Sequence, residues 1–198
     1  VAELIAYVSN PEATLPQKPV LITFDDGHYN NYTHALPLLQ RHGFKALINV
    51  VGDYCEKQTV TGDRQSSGYS YLDSNLIEIG YHSYDMHSTS AGKRYGANQR
   101  KGESDAMYEE ALKKDTDKLT SFLEENGTKV SPVYAYPFGS YNKNSEAVLK
   151  SLGFKMTLTC EEGTNVLTKE ETSLYLLKRY NRPDGLSSEE FFQMIGLR

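Results

Sequence analysis

The sequence predicts an α/β fold with a mainly parallel sheet or barrel. Strand-like and helix-like patterns alternate along the chain, and the first strand is a nearly continuous β-branched apolar run. At ~150 residues per domain, 198 residues hold one core. No repeat, low-complexity tract or linker divides them.

Each element follows from local pattern. Residues 2–8 read as the end of a helix, and Pro11, Pro16 and Pro19 keep the next stretch open. Val20–Phe24 suits a strand buried on both faces, and it ends in Asp25-Asp26-Gly27. Ala35, Leu36, Leu38 and Leu39 predict a helix from Tyr32 to His42, stopped by Gly43, and a strand over Ala46–Val51 completes a β-α-β unit. Asp53 to Ser74 is polar and reads as a surface excursion. A helix and strand are expected near Leu76–Gly80. A long helix is predicted from Ser104 to Asn126, with Ala111, Leu112, Leu119, Phe122 and Leu123 on its apolar side and Gly127 closing it. Strands near Val133–Tyr136, Met156–Thr159 and Tyr175–Arg179 and helices over Ser145–Leu152 and Ser187–Ile195 complete the alternation.

Composition narrows the partners. Lys and Arg total 21 against 26 Asp and Glu, a net charge of −5 without a basic run, which argues against nucleic acid or an anionic membrane surface. No apolar stretch approaches the ~20 residues of a membrane-spanning helix. Cys55 and Cys160 form no Cys-x-x-Cys pair and read as two buried thiols rather than a bridge.

Three segments carry chemistry. In parallel α/β folds the active groups stand at the carboxyl ends of strands, where Asp25 and Asp26 fall. Consecutive residues leaving a strand point different ways, so one carboxylate can face substrate and the other a cation. An ordinary polar Asp-Gly turn is the bland alternative. Gly80-Tyr81-His82-Ser83-Tyr84-Asp85-Met86-His87 places two of five histidines five apart. That spacing puts them ~140° apart on a helix and on opposite faces of a strand, so only an irregular loop brings both to one ion. With Asp26 they would form a two-His, one-carboxylate site with open positions, suited to zinc. Ala135-Tyr136-Pro137-Phe138-Gly139 is a strand running into a turn, able to offer a backbone N–H to an oxyanion and aromatic walls to a sugar.

In this order and approximate spacing, Thr23-Phe24-Asp25-Asp26-Gly27, His82-Ser83-x-x-x-His87 and Ala135-Tyr136-Pro137-Phe138-Gly139 resemble the polysaccharide deacetylases, the NodB-homology carbohydrate esterases. The resemblance runs from about Lys18 to Arg179. It implies a distorted (β/α) barrel with fewer than eight strands, one catalytic domain over residues 1–198, and an N-terminal part of the full protein lying outside this chain. It also implies a metal-dependent hydrolase that removes acetyl groups from N-acetylated, and in some members O-acetylated, sugar polymers. Asp25 matches the general base, and Asp26, His82 and His87 match the metal ligands. The cofactor expected is zinc, with cobalt, nickel or manganese as substitutes. The Phe138 backbone N–H matches the oxyanion donor, Tyr136, Pro137 and Phe138 the substrate wall, and Ser83 a residue that orders its loop. Gly27 lets the backbone pass close to the site. An acetylated polysaccharide or oligosaccharide is the partner implied, in an extracellular or envelope-associated setting.

The chain departs from the family pattern at four points. Its histidines are spaced by five instead of four. Ala135 stands where an arginine usually orients the catalytic aspartate, which leaves the partner of Asp25 unassigned. There is no Trp, and Glu161 and Glu162, near the place of the usual Asp-Trp pair, read as solvent-exposed acids. No histidine follows His87 to serve as general acid; the corresponding region is Leu176–Tyr180. An alkoxide leaves more readily than an unprotonated amine, so ester hydrolysis stays open beside amide hydrolysis. His28 is a substitute acid by proximity in sequence, whereas His34 and His42 read as surface residues. A catalytically impaired metal- and glycan-binding relative and a hydrolase of small amides or esters are the competing readings.

Overall fold

The computed structural model describes residues 1–57, 60–61, 64–65 and 75–197. Five parallel strands form a curled half-barrel with helices around it. They are β1 (Thr23–Asp26), β2 (Ala46–Val50), β5 (Ile77–Tyr81), β6 (Val130–Ala135) and β7 (Met156–Leu158), in the spatial order β1-β2-β5-β6-β7. A two-stranded antiparallel ribbon, β3 (Val60–Thr61) with β4 (Arg64–Gln65), stands apart from this sheet. Most of the predicted polar excursion falls outside the described residues. Its first residues instead build helix α3 (Gly52–Lys57).

Parallel strands covered on both sides need apolar residues facing both ways. Every residue of β2 and of β7 is buried. Ile48, Val50, Ile79, Tyr81 and Tyr134 join the core under helix α4 (Asp105–Glu125), whereas Leu47, Val133, Ala135, Met156 and Leu158 form the opposite one. Two-sided burial was predicted for β1, but β1 is an edge strand and only half-buried. It also starts later than expected, so Asp25 and Asp26 are its last two residues and pair in register with Asn49 and Val50.

The predicted Tyr32–His42 helix is two pieces, a π-helical turn over Asn31–Ala35 and α2 (Leu36–His42). Pro37 lies in the first turn of α2. Its missing N–H leaves the carbonyl of Thr33 without an i→i+4 donor, and the turn closes through the wider bond from Leu36 N–H to Asn31 carbonyl. Gly43 ends α2 in the left-handed conformation, as expected.

Helix α4 is capped by the Ser104 side chain, which accepts from Met107 N–H, worth ~1 kcal/mol. Its buried stripe is Tyr108, Leu112, Thr116, Leu119 and Leu123. Thr116 is tolerated there because its hydroxyl donates back to the Leu112 carbonyl at 3.0 Å. Helices α1 (Ala2–Ser9), α5 (Ser145–Ser151) and α6 (Ser188–Met194) lie where periodicity placed them. The strand expected over Tyr175–Arg179 shrinks to one bridge, Leu158 with Leu177. The left-handed backbone of Leu176 (φ 54°) interrupts it.

Candidate active site

The site lies at the carboxyl ends of β1, β2, β5 and β6. Four non-glycine residues of the described chain have positive φ, namely Asp26 (70°), Ser83 (68°), Phe138 (59°) and Leu176 (54°). The first three belong to the three motifs. Such conformations cost ~1–3 kcal/mol each and persist where surrounding contacts impose them. Gly27 (φ 74°) continues the first of these turns, and a Cβ there would come within 3.1 Å of Val50 Cγ1.

Asp25 and Asp26 diverge. Asp25 receives a bidentate pair from Arg179, Nη1 to Oδ1 at 2.9 Å and Nη2 to Oδ2 at 2.8 Å, and a third bond from Asn49 Nδ2 at 2.9 Å. Burial pushes its pKa up, but the neighbouring His82, the Arg179 guanidinium and the Asn49 amide together bring it down to about 2. Arg179 is itself fixed, its Nε donating to the Thr159 carbonyl at 2.8 Å.

Asp26 Oδ1 is buried and has no hydrogen-bond partner. It faces His82 Nε2 at 3.6 Å and His87 Nε2 at 3.5 Å, while Asp26 Oδ2 lies 3.1 Å from His28 Nε2. One ligand atom from each of Asp26, His82 and His87 lies within 4.8 Å of the others. His82 Nδ1 is 2.8 Å from the Ala135 carbonyl, which can only accept, so Nδ1 carries the proton and Nε2 offers its lone pair. The Tyr54 hydroxyl donates to the His87 carbonyl at 3.0 Å and lies 3.2 Å from His87 Nδ1. Burial and the neighbouring His82 hold the His87 pKa below the usual imidazole value, against the pull of Asp26. An orphaned carboxylate oxygen beside two imidazole nitrogens is a donor set that fits a divalent cation.

The loop between the two histidines is pinned from below. Asp115 of α4 accepts the backbone N–H of Tyr84 at 2.7 Å and of Asp85 at 2.9 Å, and Ser83 Oγ accepts that of Met86 at 3.1 Å. This irregular turn is how histidines five apart converge.

The structure therefore brings Asp25, Asp26, His82, His87 and Phe138 together. Tyr136 is a correction. Its ring is fully buried, stacked on Tyr141, and its hydroxyl donates to Glu146, so it cannot flank a sugar. Pro137 is buried as well. Cys160 is exposed rather than buried, while Cys55 is buried, and both are free. His34 and His42 are exposed, and so are Glu161 and Glu162. Sequence reasoning missed Asn49, Tyr54, Asp115 and the role of Arg179. A polar Asn49 inside the otherwise apolar Ala46–Val51 run was the one visible signal.

The polysaccharide deacetylase family model matches residues 12–157. The chain belongs to the polysaccharide deacetylase family. Within that family it is 29% identical over 175 residues to a poly-beta-1,6-N-acetyl-D-glucosamine N-deacetylase of Escherichia coli K12, an alignment covering 75% of this chain and 26% of that protein. The chain thus spans about a quarter of the length of that relative. Among solved structures, IcaB from Ammonifex degensii aligns with a TM-score of 0.72 at 25% identity, over 91% of this chain and 74% of that one. A de-N-acetylase from Aggregatibacter actinomycetemcomitans aligns with a TM-score of 0.76 at 18% identity, over 98% and 81%, and shares the fold. The distorted barrel of this deacetylase family agrees with the five-stranded half-barrel described above.

Proposed function

We propose that this chain is the catalytic domain of a metal-dependent deacetylase that hydrolyses acetyl groups on an extracellular or envelope polysaccharide. The observation that carries the reading is the division of labour between adjacent carboxylates. Asp25 is held ionised by Arg179 and Asn49, while Asp26 turns a bare oxygen toward two imidazole nitrogens. An N-acetylated glucosamine polymer is the preferred substrate class, supported by the name of the Escherichia coli relative.

Asp26, His82 and His87 would hold the cation, with zinc the first choice for this donor set. When bound, such an ion supplies Lewis acidity to a water and to the acetyl carbonyl. Asp25, fixed beside it, takes the proton as water attacks; the guanidinium keeps its carboxylate aimed and unprotonated. The Phe138 backbone N–H, presented by a left-handed turn, is the candidate donor to the developing oxyanion.

Ester hydrolysis is kept as a second reading on one observation. His82 and His87 face the Asp26 oxygen of the candidate cation site, which leaves His28, 3.1 Å from Asp26 Oδ2, as the one imidazole at the site able to protonate a leaving amine, and an ester does not need that acid.

Acetate release from N-acetylglucosamine oligosaccharides and from acetylated xylan, measured with metal content, tests the proposal. Asp25→Asn is expected to abolish release and keep the metal; His82→Ala is expected to lose both. A metal-loaded protein that releases acetate from neither substrate would overturn the deacetylase reading in favour of an impaired glycan-binding relative. Turnover of small acetyl esters alone would point to a small-molecule hydrolase.

A further inference from the structure

We infer that Tyr95 forms a second sugar-binding surface beside the cation-ligand cluster, stacking against the pyranose next to the acetylated unit of a glycan chain; this deepens, and rests on, the deacetylase reading. The argument starts from Phe138. Its ring stacks on His87 with centroids 4.1 Å apart and planes at 29°, and on Tyr95 with centroids 4.3 Å apart and planes at 5°. Two rings at those spacings cannot share one face, so Phe138 is sandwiched. It can offer a sugar only its edge. The free aromatic face belongs to the outer side of Tyr95, which is 52% exposed and lies two ring spacings from the ligand imidazole.

Exposure of a tyrosine is ordinary by itself. The rigidity of this one is not. Tyr95 pairs with His87 in an antiparallel bridge, Gly96 N–H donates to the Met86 carbonyl at 2.9 Å, and Ala97 N–H donates to the Ser140 carbonyl at 2.9 Å. Gly96 has φ 63°, and a Cβ there would lie 2.8 Å from the Pro137 carbonyl oxygen and 2.5 Å from Ser140 Cβ. Only glycine fits, and it brings the Tyr95 segment against the turn that carries Phe138. The ring is therefore ordered before any ligand arrives, which lowers the entropy cost of binding. A pyranose has an apolar C–H face to lie on the ring and rim hydroxyls within reach of a phenol, the amphipathic match that tyrosine provides.

The test compares kcat/KM for N-acetylglucosamine and for its longer oligosaccharides in the metal-loaded chain. Tyr95→Ala is expected to narrow the preference for the oligosaccharide about tenfold, through KM rather than kcat, while Tyr95→Phe keeps it. An unchanged preference in Tyr95→Ala, or an equal loss in Tyr95→Phe, would overturn the stacking surface. If the natural chain releases no acetate from any glycan, the deacetylase reading fails. Calorimetric titration of the oligosaccharide then judges Tyr95 separately, and equal affinity for the natural chain and Tyr95→Ala, or no binding to either, would overturn it.

Discussion

At the scale of single residues, the decisive contact is the Arg179–Asp25 fork. Its pKa depression has a defined consequence for folding. A carboxyl lowered from 3.8 to about 2 contributes stability that is fully present above the unfolded value and is lost as pH falls through the folded one. Part of the acid sensitivity of the fold therefore falls below about pH 4, and urea midpoints measured on either side of that value should show it. Removing the guanidinium leaves the burial in place, so Arg179→Gln should raise the Asp25 pKa and move the acid limb of the kcat/KM profile to higher pH. Misplacing Asp25, the proposed base, should also cost about 10²-fold in kcat/KM. Arg179→Lys should not restore it, because a point charge cannot reproduce the fork. An acid limb that stays in place in Arg179→Gln would dissociate this pair from catalysis.

At the scale of elements, two devices position the site from a distance. Gly80 of β5 lies in register with Asn49, and a Cβ at Gly80 would stand 2.4 Å from Asn49 Oδ1. The glycine makes room for the amide that bonds Asp25. Gly80→Ala should displace Asn49 and lower kcat more than it raises KM, which steady-state kinetics on the metal-loaded protein would read. Asp115 acts on the other side, tying helix α4 to the loop that carries both histidines. Asp115→Ala leaves two partly buried N–H groups without their carboxylate acceptor, a cost of up to ~1–3 kcal/mol each. It should also weaken metal binding 10–100-fold, as loss of an orienting partner usually does, measured by competition with a chelating dye. Unchanged metal affinity would reduce Asp115 to a purely structural cap.

At the scale of the whole molecule, the half-barrel brings residues far apart in sequence to one end. The proposed cation, held by Asp26 at the end of β1 and by His82 and His87 in the loop after β5, would tie these segments together and stabilise only the folded chain. At a hundredfold excess over Kd this amounts to ~2.7 kcal/mol, or roughly 5–10 °C in Tm for a chain of this size. Scanning calorimetry with zinc and with a chelator checks it; identical Tm values would count against a cation in this site. The same packing separates the two thiols. Burial pushes the Cys55 pKa up to about 12, whereas Cys160 lies at the surface. A thiol reagent at neutral pH should therefore modify Cys160 promptly and Cys55 only after unfolding.

Local chemistry determined most of the framework. Periodicity marked the helices and central strands, Gly43 and Ser104 marked boundaries, and the three motifs marked Asp25, Asp26, His82, His87 and Phe138 as candidates because each lies in a short segment of chemistry-bearing residues. Tertiary structure decided what depends on long-range neighbours. Whether β1 was central or at an edge rested on which strands flank it, and the burial of Tyr136 on the pleat, which turns alternate residues of one segment to opposite faces. The partner of Asp25 lies 154 residues further along the chain, at Arg179. No local pattern encodes that pairing; it exists because parallel strands, by their topology, deliver the ends of distant segments to one rim.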